Sequence, residues 1–145
     1  MKLKLIIISK SDSLAVREVF EEYVQRLKHY TFLQVIQLKP STLDEEAKMV
    51  LSKLDSIEDL ILLDERGKEF SSLELSEFLQ KKMNASKNSC FVIGSAYGFD
   101  ESLKKKSSLM ISLSKMTLPH QLAKVIFAEQ LYRAFTILRN EKYHH

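Results

Sequence analysis

The chain has 145 residues with 22 Lys and Arg against 19 Asp and Glu, 45% hydrophobic residues, one cysteine, three glycines and two prolines. That balance predicts one soluble domain over residues 1–145 and excludes collagen-like, disordered and disulfide-scaffold classes. A chain of this length buries roughly 70% of its unfolded surface and folds without a staple. The lone Cys90 has no internal partner and no leader-like segment precedes the first apolar run, so a reducing cytoplasm is the expected compartment. The net charge of +3 permits an anionic partner without predicting one.

Short β-branched runs alternate with segments of helical period, the pattern of βαβ units around a parallel sheet. Leu3 to Ser9 reads as a strand buried on both faces. Asp12 or Ser13 caps a helix whose apolar positions Leu14, Val16, Val19, Phe20, Tyr23, Val24 and Leu27 recur at three- and four-residue spacings, ending near His29. Phe32 to Leu38 is a second strand, followed after Pro40 by a helix from Leu43 to Leu54 with Asp44, Glu45 and Glu46 in its first turn. Leu60 to Leu63 is a third strand and Asp64 to Lys68 a polar turn. A helix capped by Ser71 or Ser72 then runs through Leu75, Phe78 and Leu79 and breaks over Asn84 to Ser89. Cys90 to Ile93 is a fourth strand. Asp100 and Glu101 open a short helix that Lys104, Lys105 and Lys106 close, and Leu109 to Leu113 is a fifth strand. Pro119 sits in the first turn of a last helix reaching about Leu138. The apolar runs Leu5 to Ile8 and Leu60 to Leu63 are far shorter than the ~20 residues that span a bilayer.

Two strand-to-helix connections are candidate sites, because ligands of open α/β sheets bind beyond the carboxyl ends of strands. Gly94-Ser95-Ala96-Tyr97-Gly98 holds two of the three glycines and reads as a ligand cradle or as a tight structural turn. It has neither dinucleotide-fingerprint nor phosphate-loop spacing. The stretch Ser112 to His120 offers uncommitted main chain for the edge of a heterocycle, with Leu113, Met116 and Leu118 as apolar walls. Its plain alternative is a helix start capped by Thr117. In the last helix Glu129 and Arg133 have the spacing and order of an intrahelical ion pair, with contact to RNA or a partner as the alternative role. The ending Tyr143-His144-His145 is either a disordered polar tail or equipment for gripping an unstacked base. Cys90 reads as a core thiol, and the four histidines make no zinc spacing with each other or with it, so no metal is expected.

Several blocks taken in order resemble a known family: Leu62 to Lys68 with Ser71-Ser72, Val92 to Gly98, Leu113 to Ala123, Ala128 to Ala134, and Tyr143-His144. Together they are similar to the signature blocks of the small SPOUT methyltransferases that modify pseudouridine in large-subunit ribosomal RNA. The resemblance covers the whole chain from Met1-Lys2-Leu3 onward, and the Leu113 to Leu122 block is its most specific part. It implies an α/β fold with a parallel sheet and a deep trefoil knot at the C-terminal end, a rare exception to unknotted topology. It further implies a homodimer that binds S-adenosyl-L-methionine through Leu63, Gly94 and Leu113, Ser114, Lys115, Met116, Thr117 and Leu118.

The expected reaction is methylation of N3 of a pseudouridine in 23S ribosomal RNA of the assembled ribosome. Arg133 and His144 are the catalytic candidates, and Arg133, Tyr143, His144 and His145 the RNA contacts. Two departures from the family pattern are noted. Ser95 stands where a second glycine is usual, so a positive φ there would strain the loop; a side chain as small as serine is expected to be tolerated, with cofactor affinity the property at stake. The tail ends in His145 where Arg or Lys often follows the Tyr-His pair. The alternatives are a non-catalytic ribosome-binding protein of the same fold and a flavodoxin-like nucleotide-binding module.

Overall fold

The computed structural model covers residues 1–145. In chain order it contains β1 (Lys2–Ile8), α1 (Leu14–Leu27), β2 (Phe32–Leu38), α2 (Leu43–Lys53), β3 (Glu58–Glu69), α3 (Ser72–Asn84), β4 (Asn88–Ile93), α4 (Glu101–Lys106), β5 (Leu109–Ser112) and α5 (His120–Leu138). All five strands pair in parallel, in the order β2-β1-β4-β3-β5.

Residue parity along the strands decides the layers, because successive side chains point to opposite faces. Leu3, Leu5, Ile7, Ile61, Phe91 and Ile93 face one side, where Phe20, Val24 and Leu27 of α1, Leu75 and Leu79 of α3, and Phe127, Leu131 and Phe135 of α5 cover them. Ile6, Ile8, Leu60, Leu62, Cys90 and Val92 face the other side, under Ala47 and Val50 of α2 and Leu103 of α4. Strands buried on both faces therefore read as unbroken apolar runs, as in the sequence. No helix is long and apolar enough to cross a membrane.

Local chemistry accounts for the helix starts. Ser13 accepts the Val16 N–H at 3.4 Å, Thr42 accepts that of Glu45, and Asp100 accepts that of Ser102. Ser71 and Glu74 form a reciprocal capping box. At α5 the expectation is corrected: Pro119 occupies the N-cap itself, one residue before the first turn, and no side chain caps the helix.

The largest departure lies in β3. The expected polar turn over Asp64 to Lys68 is instead part of the strand, which pairs with β5 on both sides of a register shift. Ile111 partners Leu63 and then Lys68, so residues 64–67 bulge out of the ladder. Gly67 permits the return: a Cβ there would lie 2.6 Å from the Met110 carbonyl carbon and oxygen and 2.8 Å from the Ile111 nitrogen. Strand β5 ends at Ser112, leaving Leu113 outside the ladder that the sequence pattern assigned to it.

Candidate active site

A cavity of about 380 Å3 opens at the carboxyl ends of β3, β4 and β5. Three segments wall it: the β3 bulge from Leu63 to Arg66, the glycine loop from Gly94 to Phe99, and the connection from Leu113 to His120. Leu63, Gly94, Leu113, Ser114, Met116, Thr117 and Leu118 all line it, whereas Lys115 points away, exposed and 3.5 Å from the Glu69 carboxylate. A side chain at Gly94 would meet the buried Phe99 ring at 2.8 Å. Gly98 has φ +82°, and its N–H donates to the Ser95 carbonyl at 3.2 Å, closing the loop as a tight turn.

Ser95 does not adopt a positive φ, so its side chain brings no backbone strain to the loop. The only non-glycine residues with positive φ are Ser86 and Asn140, both away from the cavity wall. Instead the Ser95 hydroxyl donates at 2.9 Å to Oε1 of Glu46, a residue only 2% exposed on α2.

Residues 113–118 make no backbone–backbone hydrogen bond. The Met116 N–H is taken by the Ser114 hydroxyl at 3.0 Å, and the Ser114 carbonyl accepts from Ser112 at 2.9 Å; the other main-chain donors and acceptors have no protein partner that would hold them from a ligand. Thr117 is not the helix cap. Its hydroxyl donates to Glu65 at 2.8 Å and ties this loop to the β3 bulge. Within the bulge, the Arg66 backbone N–H and guanidinium both donate to Asp64, and the guanidinium bond holds the Asp64 carboxyl below the usual carboxylate range. With five aliphatic or thioether walls (Leu63, Ile93, Leu113, Met116, Leu118) and free main-chain groups, the cavity has the volume and lining of a small-molecule site. An adenosyl group with an amino-acid arm fits that donor set.

A second cluster sits at the other end of α5. Glu129 accepts from the Arg133 Nε at 3.0 Å and from the Tyr143 hydroxyl at 3.0 Å, and Arg133 Nη1 lies 3.2 Å from His144 Nδ1. The Arg133 guanidinium also stacks 4.8 Å above the Tyr143 ring, which meets Tyr132 edge-on at 4.7 Å. The disordered-tail expectation is therefore corrected: Tyr143 and His144 are half-buried on α5, and only His145 of the final three is exposed. Because a guanidinium only donates, Nδ1 of His144 accepts, which places the proton of the neutral ring on Nε2. Burial, then the Tyr23 and Glu129 side chains beside it, push the Tyr143 hydroxyl well above its ordinary pKa. The Glu129–Arg133 pair forms as its spacing predicts, but no local pattern announces that Glu129 also gathers Tyr143.

The two clusters do not meet within one chain. Arg133 lies about 15 Å farther along α5 than Ala123 on the cavity wall, more than its side chain can span. No group of three or more His, Cys, Asp or Glu side chains is arranged to hold a metal ion. Cys90 is buried, and burial pushes its thiol up to about 12.

The family described as "Predicted SPOUT methyltransferase" matches residues 1–144. A parallel sheet with its cavity at the β3, β4 and β5 ends, and a match over almost the full length, define the class: the chain belongs to the SPOUT methyltransferase family. Among individual proteins, it is 47% identical to a Flavobacterium johnsoniae protein and 45% identical to one from Christiangramia forsetii, in each case over 100% of this chain and 99% of the relative. A Geotalea daltonii protein is 37% identical over the full length of both chains. All three carry the name "Ribosomal RNA large subunit methyltransferase H". A solved structure titled as a probable methylase family protein from Haemophilus influenzae Rd KW20 shares the fold, with a TM-score of 0.58 at 15% identity over 99% of this chain and 70% of its own.

Proposed function

We propose that this protein methylates N3 of a pseudouridine in 23S ribosomal RNA of the assembled ribosome, using S-adenosyl-L-methionine. The observation that carries the reading is the cavity at the ends of β3, β4 and β5, with its uncommitted main chain from Leu113 to Leu118. The family membership and the names of the full-length relatives support the same substrate class. When bound, the cofactor supplies a methyl group on a sulfonium that a nitrogen nucleophile can displace. Leu63, Gly94, Leu113, Ser114, Met116, Thr117 and Leu118 would hold it, with loop main chain orienting the heterocycle and the apolar walls excluding water.

The remaining task is charge. The imide proton of the base must leave, and negative charge then develops on the ring, so a fixed cation nearby lowers the barrier. Arg133 is that cation, and its bond to Glu129 both holds it in place and pushes its pKa up. His144, with Nδ1 committed to Arg133, presents an N–H at Nε2 and acts as a donor to the base or its neighbours. Tyr143 and His145 complete the RNA contacts. Since Arg133 cannot reach the cavity of its own chain, the working enzyme is a homodimer in which one subunit holds cofactor and the other presents the C-terminal cluster. A deep trefoil knot belongs to this reading, as the membership of the SPOUT methyltransferase family implies. A net charge of +3 gives each subunit little electrostatic hold on a free hairpin, in keeping with a preformed ribosomal surface as the substrate.

Calorimetric titration with S-adenosyl-L-methionine, followed by methylation of ribosomes lacking the modification, tests the proposal. Saturable binding of one cofactor per subunit and a single new methyl group on the pseudouridine are expected. Cofactor binding without methylation of those ribosomes would overturn the substrate, and no binding at all would overturn the enzyme.

A further inference from the structure

The glycine loop is joined to α2 by one buried contact that the mechanism above does not use. Glu46 is an acidic residue only 2% exposed, and both its side-chain oxygens are engaged: Oε2 accepts the Ser41 N–H at 2.9 Å, and Oε1 accepts the Ser95 hydroxyl at 2.9 Å. Ser95 lines the cavity, whereas Glu46 does not. A buried carboxylate is tolerated only when its oxygens find donors, so these two bonds also bind the elements that supply them. One donor belongs to the turn entering α2 and the other to the loop that closes the cavity.

We propose that Glu46 is a positioning residue for cofactor binding, acting through the Ser95 hydroxyl to fix the Gly94–Gly98 loop and to set its polarity. The inference rests on the cofactor-dependent reading. Its chemical content is a proton direction. A carboxylate only accepts, so the Ser95 proton is committed to Glu46 and withheld from any ligand in the cavity that Ser95 lines. Ser95 Oγ can then meet a ligand only as an acceptor, from an N–H or O–H such as an ammonium or a ribose hydroxyl. The Gly98 N–H to Ser95 carbonyl bond carries the constraint across the turn, and the Phe99 ring behind Gly94 leaves the loop no room to collapse inward.

Three variants test this: Ser95→Ala, Glu46→Gln and the double change. Ser95→Ala removes the hydroxyl. Glu46→Gln keeps shape but can satisfy Ser41 only by turning its amide group toward Ser95, which reverses the hydroxyl's direction. Calorimetry with S-adenosyl-L-methionine is expected to show each single variant binding about tenfold more weakly, and the double variant no weaker than either single one. Wild-type affinity in both singles, or losses that multiply in the double, would overturn the proposal. Thermal melts of the same samples separate this from a merely structural role, which would lower the Tm and leave the affinity alone. Amide hydrogen exchange of residues 95–98 in the free protein gives a readout independent of the cofactor. Faster exchange in both singles is expected, and unchanged exchange would overturn the lock. If the wild-type protein fails to bind the cofactor while the exchange result holds, it is the functional reading that falls and the Glu46 lock that stands.

Discussion

The cavity and the C-terminal cluster are built on opposite principles. The cavity uses main chain left without protein partners, glycines at close approaches and aliphatic walls, so it recognises by shape and backbone. The cluster uses charged and aromatic side chains that satisfy one another, with Glu129 gathering Arg133 and Tyr143 and Arg133 gathering His144. The first is sensitive to added atoms and the second to removed ones. Both depend on α5, whose first turns help wall the cavity and whose later turns carry the cluster. On the proposed reading the same helix serves ligand binding at one end and charge at the other, too far apart for one chain to use both on one substrate atom.

The change expected to do most damage adds one methyl group to the cavity side. Gly67→Ala places a Cβ against the Met110 and Ile111 main chain, which cannot yield without parting β3 from β5. The expected loss is on the order of 3 kcal/mol, or roughly 10 °C in Tm for a chain of this size, with cofactor binding lost as the bulge shifts. A melt within a degree or two of wild type would show that the close approach at Gly67 does not hold the cavity in shape.

On the cluster side, Glu129→Ala leaves Arg133 and the Tyr143 hydroxyl without their shared acceptor. Methylation of ribosomes should slow at least about tenfold, the scale of one lost bond to a charged group, while cofactor affinity stays within about twofold. His144→Ala should show the same split with a smaller loss, since Arg133 keeps its bonds to Glu129. Equal losses of rate and affinity in either variant would place the cluster in cofactor binding and erase the distinction between the two regions. Mixed dimers sharpen it: a Glu129→Ala subunit paired with a Gly94→Val subunit should recover activity through the one intact combination of cavity and cluster.

Most of the layer architecture was legible because parity and period speak directly about burial. Leu3, Leu5 and Ile7 against Ile6 and Ile8 announce a strand covered on both faces, and the α1 apolar spacing announces its buried stripe at Phe20, Val24 and Leu27. The bulge at residues 64–67 was not legible. Its residues are polar, and only the second pairing to β5 across Gly67 makes them part of a strand. The sequence presents Ser95 as a replacement for a glycine, and nothing near it announces that its hydroxyl bonds to Glu46, 49 positions away on α2. The order of the tail is hidden for the same reason: nothing local in Tyr143-His144 shows that Glu129 and Arg133 wait for it. Local chemistry is written along the chain, whereas contacts that cross between elements are written only in the fold.

The mildest test of the contrast uses pH. In the tail region the Tyr30 hydroxyl donates to Glu141 at 2.7 Å, and burial, with that bond, pushes its pKa from 10.0 up to about 12; Tyr143, donating to Glu129, is raised in the same sense. A phenol whose pKa is higher in the folded state than in the unfolded one stabilises the fold fully below the unfolded value, and that contribution fades as pH rises from about 10 through the folded value. The Tyr30–Glu141 contact should therefore hold to about pH 10 and loosen by about pH 12, when the Tyr30 phenolate repels its own carboxylate partner. Ultraviolet difference absorbance should show late ionisation of these two among the five tyrosines. Tyr30→Phe should remove one late step and flatten the alkaline fall in stability, while leaving the cavity's cofactor affinity unchanged at neutral pH. If that affinity fell instead, the cluster and the cavity would be coupled through α5 within a single chain.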